Sequence, residues 1–143
     1  MAEYIENDIQ EVEIGQNVLL DASIPCTKGY VVHRPGSGIL TLRGIVNNVC
    51  AGFARYQVTF NGNIAIPDGE TVGEISIALA IAGEPLQSSR ARVTPAAVEE
   101  YFNVTSTAFV TVPRGCCYTL AVENTSDIPI DVQNANLTVQ RVA

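Results

Sequence analysis

The sequence predicts an all-β sandwich, and three observations carry that prediction. Ile75-Ser76-Ile77-Ala78-Leu79-Ala80-Ile81 places a large aliphatic at every second position with small residues between. That is the period of a strand buried on one face and closely covered on the other. Similar short alternating segments recur to the C-terminus, separated by Gly, Pro, Asn and Asp. No long run of helical spacing interrupts them.

Residues 1–13 set Glu3, Glu6, Asp8, Glu11 and Glu13 around isolated Ile5, Ile9 and Val12, and read as an extended acidic arm ahead of a sandwich domain at 14–143. A first strand is expected at Ile14–Leu20, with Pro25 breaking the chain before a short one at Tyr30–His33. Arg34-Pro35-Gly36-Ser37-Gly38 then turns into a strand at Ile39–Val46. Phe53–Phe60 alternates Ala54, Tyr56, Val58 and Phe60 against Phe53, Arg55, Gln57 and Thr59. Asn61-Gly62-Asn63 predicts a tight hairpin, because Asn-Gly accepts positive φ angles.

Ile64–Ile66 and Pro67-Asp68-Gly69 lead into the long strand at 73–82, and Leu86–Val93 reads as a weaker strand whose Ser88-Ser89-Arg90 centre predicts exposure or an edge. The helical signal lies in Thr94-Pro95-Ala96-Ala97-Val98-Glu99-Glu100, where Thr94 suits a cap and Pro95 the first helical position. One or two turns at most fit before Tyr101. Strands return at Phe102–Val112, Tyr118–Val122, Ile128–Val132 and Leu137–Val142, with turns at Pro113-Arg114-Gly115 and Asn124-Thr125-Ser126-Asp127. The expected total is eight to ten antiparallel strands and one short helical turn.

A chain of 143 residues fits one domain, which at this size buries roughly 70% of its unfolded surface. Charged residues make up only 16% of it, against 47% apolar, which predicts that identical subunits cover part of the surface. The net charge of −7 is concentrated in the first 13 residues, and the remaining chain is nearly neutral. Eight scattered cations form no stripe able to neutralise a phosphate backbone, so direct nucleic-acid binding is not expected. No apolar run approaches the ~20 residues of a membrane span, and the N-terminus lacks the basic and apolar blocks of a secretory signal. Synthesis in a cytoplasm without a membrane partner is the expectation.

Catalytic chemistry finds little support. His33 is the sole histidine, and no serine sits in a nucleophile elbow or triad motif. Glu99 and Glu100 are adjacent and cannot face one another across a substrate. Cys26, Cys50, Cys116 and Cys117 lack Cys-x-x-Cys spacing, so free core thiols rank first, a disulfide involving Cys50 or Cys26 second, and metal a distant third. Adjacent Cys116 and Cys117 on a strand would point to opposite faces. The Asn-x-Ser/Thr triplets at Asn103, Asn124 and Asn136 read as chance in an Asn- and Thr-rich chain. No phosphate-cradling glycine loop or calcium loop is present in the sequence. An enzyme, a cofactor and a bound metal are therefore all not expected.

The order of pieces in the second half resembles the jelly-roll domain of the tumour-necrosis-factor-like superfamily, including bacterial and phage versions in spore-surface and virion proteins. The residues concerned are Ile64-Ala65-Ile66-Pro67-Asp68-Gly69 and Ala82-Gly83-Glu84-Pro85-Leu86, then Phe109–Gly115 leading into Tyr118–Asn124, and finally Ala135–Val142. The run Val93–Val104, with Cys116-Cys117 and Asn124-Thr125-Ser126 after it, is similar to small virion structural proteins of phages and prophages of Gram-positive gut bacteria. The resemblance implies a jelly-roll β-sandwich, a homotrimer and a capsid decoration role at the virion surface, with the major capsid protein or another virion protein as partner. Ile5, Ile9 and Val12 are then the expected attachment anchors, joined by Tyr101 and Phe102. A glycan- or receptor-binding module of a tail fibre or spore surface is the alternative. The chain departs from animal members in lacking an export signal, and from collagen-linked bacterial members in lacking a Gly-X-Y stalk.

Overall fold

In the computed structural model, residues 2–24, 31–34, 36–44, 52–115 and 117–142 are described. Twelve strands are formed: β1 (Ala2–Glu6), β2 (Gln10–Val12), β3 (Ala22–Ile24), β4 (Val31–His33), β5 (Leu40–Arg43), β6 (Phe53–Ala65), β7 (Ile75–Ile81), β8 (Glu84–Pro85), β9 (Ala91–Val93), β10 (Phe102–Pro113), β11 (Cys117–Asn124) and β12 (Ile130–Arg141). They pair antiparallel in two sheets. The front sheet runs β10-β6-β12-β1-β3, with β2 also on β12; the back sheet runs β4-β5-β11-β7-β8, with β9 also on β7. From β5 to β7, and again from β9 to β12, the chain crosses between sheets at every connection. This crossing makes the sandwich a jelly roll and closes it around one core.

The core follows from the alternation. Tyr56, Val58, Phe60 and Ile64 of β6, Leu137 and Val139 of β12, Leu40 and Leu42 of β5, Leu120 and Val122 of β11, and Ile75, Ile77 and Leu79 of β7 are all buried between the sheets. On β7 the intervening Ser76, Ala78 and Ala80 are buried too, because the chain covers its outer face. Ser126 Oγ accepts from Ser76 N at 2.7 Å and donates to Ser76 O at 3.1 Å. That explains why the residues between the aliphatics are small.

Residues 2–12 are not an arm. β1 pairs with β12 from Ala2↔Val139 to Glu6↔Ala135 and with β3 on its other side, and β2 pairs with β12 from Gln10↔Val132 to Val12↔Ile130. Tyr4 and Val12 are buried in the core. The edge of β12 left by β6 needs backbone partners, and an acidic strand with inward Tyr4 and Val12 supplies them. No boundary at residue 13 separates it from the sandwich. The expected strand at Ile14–Leu20 is instead a strap of isolated bridges: Gly15 N donates to Asn124 O, Val18 N to Val122 O, and Asn124 N to Gln16 O.

Three further expectations are corrected by packing. Asn61-Gly62-Asn63 does not turn but lies within β6. Gly62 is required because a Cβ there would lie 2.9 Å from Cζ of the Phe60 ring. The two expected final strands are one, β12, with a register shift between Gln133 and Asn136 and Asn134 at φ 54°. Thr94–Glu100 forms no helix: its NH at Glu99, held at φ 58°, donates to Ile66 O.

The one helical turn among the described residues is a 3-10 turn at Gln87–Ser89. It fills the gap on the β7 edge between β8 and β9, where Ser89 Oγ accepts from Leu79 N at 3.0 Å and Leu86 N donates to Leu79 O at 2.8 Å. Ser89 is thus buried, on a segment that lies at the edge of the back sheet. Of the cysteines, Cys26, Cys50 and Cys116 lie outside the described residues. Cys117 is a free, exposed thiol rather than a core one.

Candidate functional site

The outer face of the front sheet is a long, regular surface. β6, β10 and β12 are 13, 12 and 12 residues long, so at about 3.3 Å per residue they extend roughly 40 Å. Their outward residues align in rows through the register. Thr107, Thr59, Thr138 and Glu3 form one row; Thr105, Asn61, Asn136 and Ile5 form the next; Phe109, Gln57 and Gln140 form a third. Eight of these eleven are polar and uncharged.

These side chains tie one another down. Thr59 Oγ1 and Thr107 Oγ1 are 3.2 Å apart, Asn103 Nδ2 donates to Asn61 Oδ1 at 2.8 Å and to Asn63 Oδ1 at 3.2 Å, and Thr105 Oγ1 donates to Asn61 Oδ1 at 3.2 Å. Thr138 Oγ1 donates to Asn136 Oδ1 at 3.1 Å. A face whose rotamers are already fixed loses little side-chain entropy when covered. With four strands about 4.8 Å apart it offers roughly 800 Å², the area that one partner contributes to a standard interface.

The two ends of the face differ. At one, Phe53 and Phe109 are about half exposed, and the Arg55 guanidinium lies 4.8 Å from the Phe109 ring centroid. At the other, Glu11 stands directly across from Asp131. Burial, then Glu11, then Glu99 push the Asp131 carboxyl above its ordinary range, and burial, Asp131 and Glu99 raise Tyr101 likewise. One end is aromatic and cationic, the other acidic.

Of the residues expected to mediate attachment, Ile5 is half-buried on this face, and Tyr101 stands at its acidic end. Ile9 is 56% exposed between β1 and β2. Val12 is buried against the core, and Phe102 lies half-buried on the core side of β10. The structure does not bring the five together. Phe109, Phe53, Thr59 and Thr107 were missed; the alternation of Thr with apolar residues along β10 was their signal.

The back sheet carries the remaining polar features. His33 Nε2 lies 2.8 Å from Ser37 O and its ring stands 4.7 Å from that of Tyr4, which makes it a packing residue bridging the two sheets. Glu123 on the outer side of β11 has Oε2 buried with no hydrogen-bond partner among the described residues, and burial followed by Glu84 raises its carboxyl pKa. Asn124 is buried, and its Nδ2 donates to Val12 O, Glu13 O and Ile128 O. A pocket of about 290 Å³ opens between Thr71–Glu74, Arg90 and Thr125–Ile128. Among the described residues no group of three His, Cys, Asp or Glu is placed to hold a metal.

This strand order has counterparts among solved structures. The globular domain of zebrafish complement 1qA protein superposes with a TM-score of 0.64 at 11% identity, covering 99% of this chain and 97% of that one. The Eiger TNF from S. frugiperda superposes with a TM-score of 0.67 at 13% identity, covering 100% and 92%. The chain has the TNF/C1q jelly-roll fold. No protein-family model and no curated protein matches it in sequence, so the jelly-roll likeness concerns the fold alone.

Proposed function

We propose that the chain is a non-enzymatic virion structural protein, a trimeric head decoration protein of a phage of Gram-positive gut bacteria, displayed on the virion surface and seated on the major capsid protein. The observation that carries the assembly is the outer face of the front sheet: regular, roughly 800 Å² in extent, laced by its own hydrogen bonds and, between its charged ends, made mostly of uncharged Thr, Asn and Gln. Three copies about an axis bring identical residues together, so a charged face would repel itself, whereas Thr, Asn and Gln do not. A rigid jelly-roll knob suits a structural role. The sequence resemblance of Val93–Val104 to small virion proteins supplies the phage context.

Mass spectrometry of purified particles from a host carrying the gene tests this reading. The expected result is the protein in the particle at a copy number tied in threes to capsid sites. Particles of full infectivity and head stability without the protein bound to them would overturn it.

A further inference from the structure

The pocket on the back sheet lies outside the proposed assembly face and has a prepared floor. Arg90, half-buried, donates from Nε to Ser76 Oγ at 3.1 Å and from Nη2 to Thr125 O at 3.2 Å. Ser76 Oγ is itself fixed 2.7 Å from Thr125 Oγ1. A guanidinium carries five N–H donors, so these two bonds position the group and leave donors over. Arg90 forms no ion pair among the described residues; the nearby Glu74 lies 3.8 Å from Arg92 instead.

The lining decides the class of ligand. The pocket that Arg90 lines is lined also by the acidic Glu74 and Asp127, by Thr71, and by the apolar Val72, which is 45% exposed, and Ile128. A phosphate or carboxylate would be attracted by one guanidinium but would face Asp127, and Glu74, whose charge Arg92 only partly offsets. A cation would face Arg90. A neutral polyol meets both, since its hydroxyls donate to carboxylates and accept from a guanidinium, while a ring's C–H face covers Val72 and Ile128. About 290 Å³ is at the small end of ligand pockets and suits one ring.

We propose that this pocket binds a single neutral sugar ring of a glycan. The claim is independent of the virion reading and of the trimer. The test is an NMR titration of the full chain, following backbone amides and saturation transfer, with the methyl glycosides of glucose, galactose, mannose and N-acetylglucosamine, and separately with N-acetylneuraminic acid and methyl glucuronide. At least one neutral glycoside should saturably shift the amides of Thr71–Glu74 and Thr125–Ile128. Asp127→Ala and Val72→Glu, both at exposed positions, should each weaken that binding by roughly tenfold or more with the melting temperature unchanged. Three outcomes overturn the proposal: no neutral glycoside saturating at concentrations on the order of 100 mM, binding insensitive to both variants, or tighter binding of the acidic sugars.

Discussion

The two outer faces of the sandwich are built from the same alternation and reach opposite ends. On the front sheet the central outward residues of β6, β10 and β12 are mostly Thr, Asn and Gln that stay accessible, the Thr and Asn bonded to one another. On the back sheet the outward residues of β7 are Ser76, Ala78 and Ala80, buried under the chain's own covering segments. Among the described residues the outer side of β7 is covered from within, while the centre of the front face stays open. The difference teaches that small residues on a strand's outer side mark self-covering, while medium polar residues in register mark a face held flat for something else.

The largest expected effect concerns the strand that frames the front face. Deleting residues 1–6 removes β1, strands β3 without its partner, and opens the β12 edge from Ala135 to Val139. The loss of stability should exceed that of any single core truncation, as read by thermal unfolding. A deletion variant melting like the full chain would return these residues to the status of a loose arm.

Next comes the core shared by both sheets. Leu79 is fully buried, and Leu79→Ala should cost about 2–5 kcal/mol in chemical denaturation. An unchanged midpoint would remove β7 from the core.

A matched pair of charges then separates the faces. Thr107→Glu at the centre of the front face should weaken self-association by roughly 3 kcal/mol, about a hundredfold in dissociation constant, with the subunit still folded. Thr119→Glu, exposed on the back sheet, should leave association intact. Equal effects from both would erase the distinction.

The smallest effect is electrostatic. Glu123 on the back sheet and Asp131 on the front both have carboxyl pKa values raised, chiefly by burial. A raised carboxyl binds its proton more tightly in the folded state, so the stability linked to it is present below the ordinary carboxylate range. It is lost as pH rises through the folded value. Mild acidification from neutral pH should therefore raise the melting temperature. Glu123→Gln and Asp131→Asn should raise it at pH 7 and reduce the acid-side gain, the Asp131 change also relieving repulsion from Glu11.

The strands themselves were legible because period-two burial leaves a local trace, as in Ile75–Ile81 and Phe102–Val112. Pairings across the chain were not. Nothing local in Ala2–Glu6 says that it completes the edge of β12 more than 130 residues away, and its charges read as a solvated arm. Gly62 carries the residue pattern of a turn, yet it is fixed by the Phe60 ring lying across it. The front face was half visible: Phe53, Arg55, Gln57 and Thr59 group by alternation on β6, but only the register with β10 and β12 assembles the rows. The pocket joins residues 71–74, 90 and 125–128, which no spacing rule connects.

The central claim is that the front face exists to receive copies of the same chain. Multi-angle light scattering of the purified full chain at micromolar concentration tests it most directly. A mass three times the 15.3 kDa chain, falling toward one chain in Thr107→Glu, is the predicted result. A 15.3 kDa monomer for the unaltered protein would contradict it.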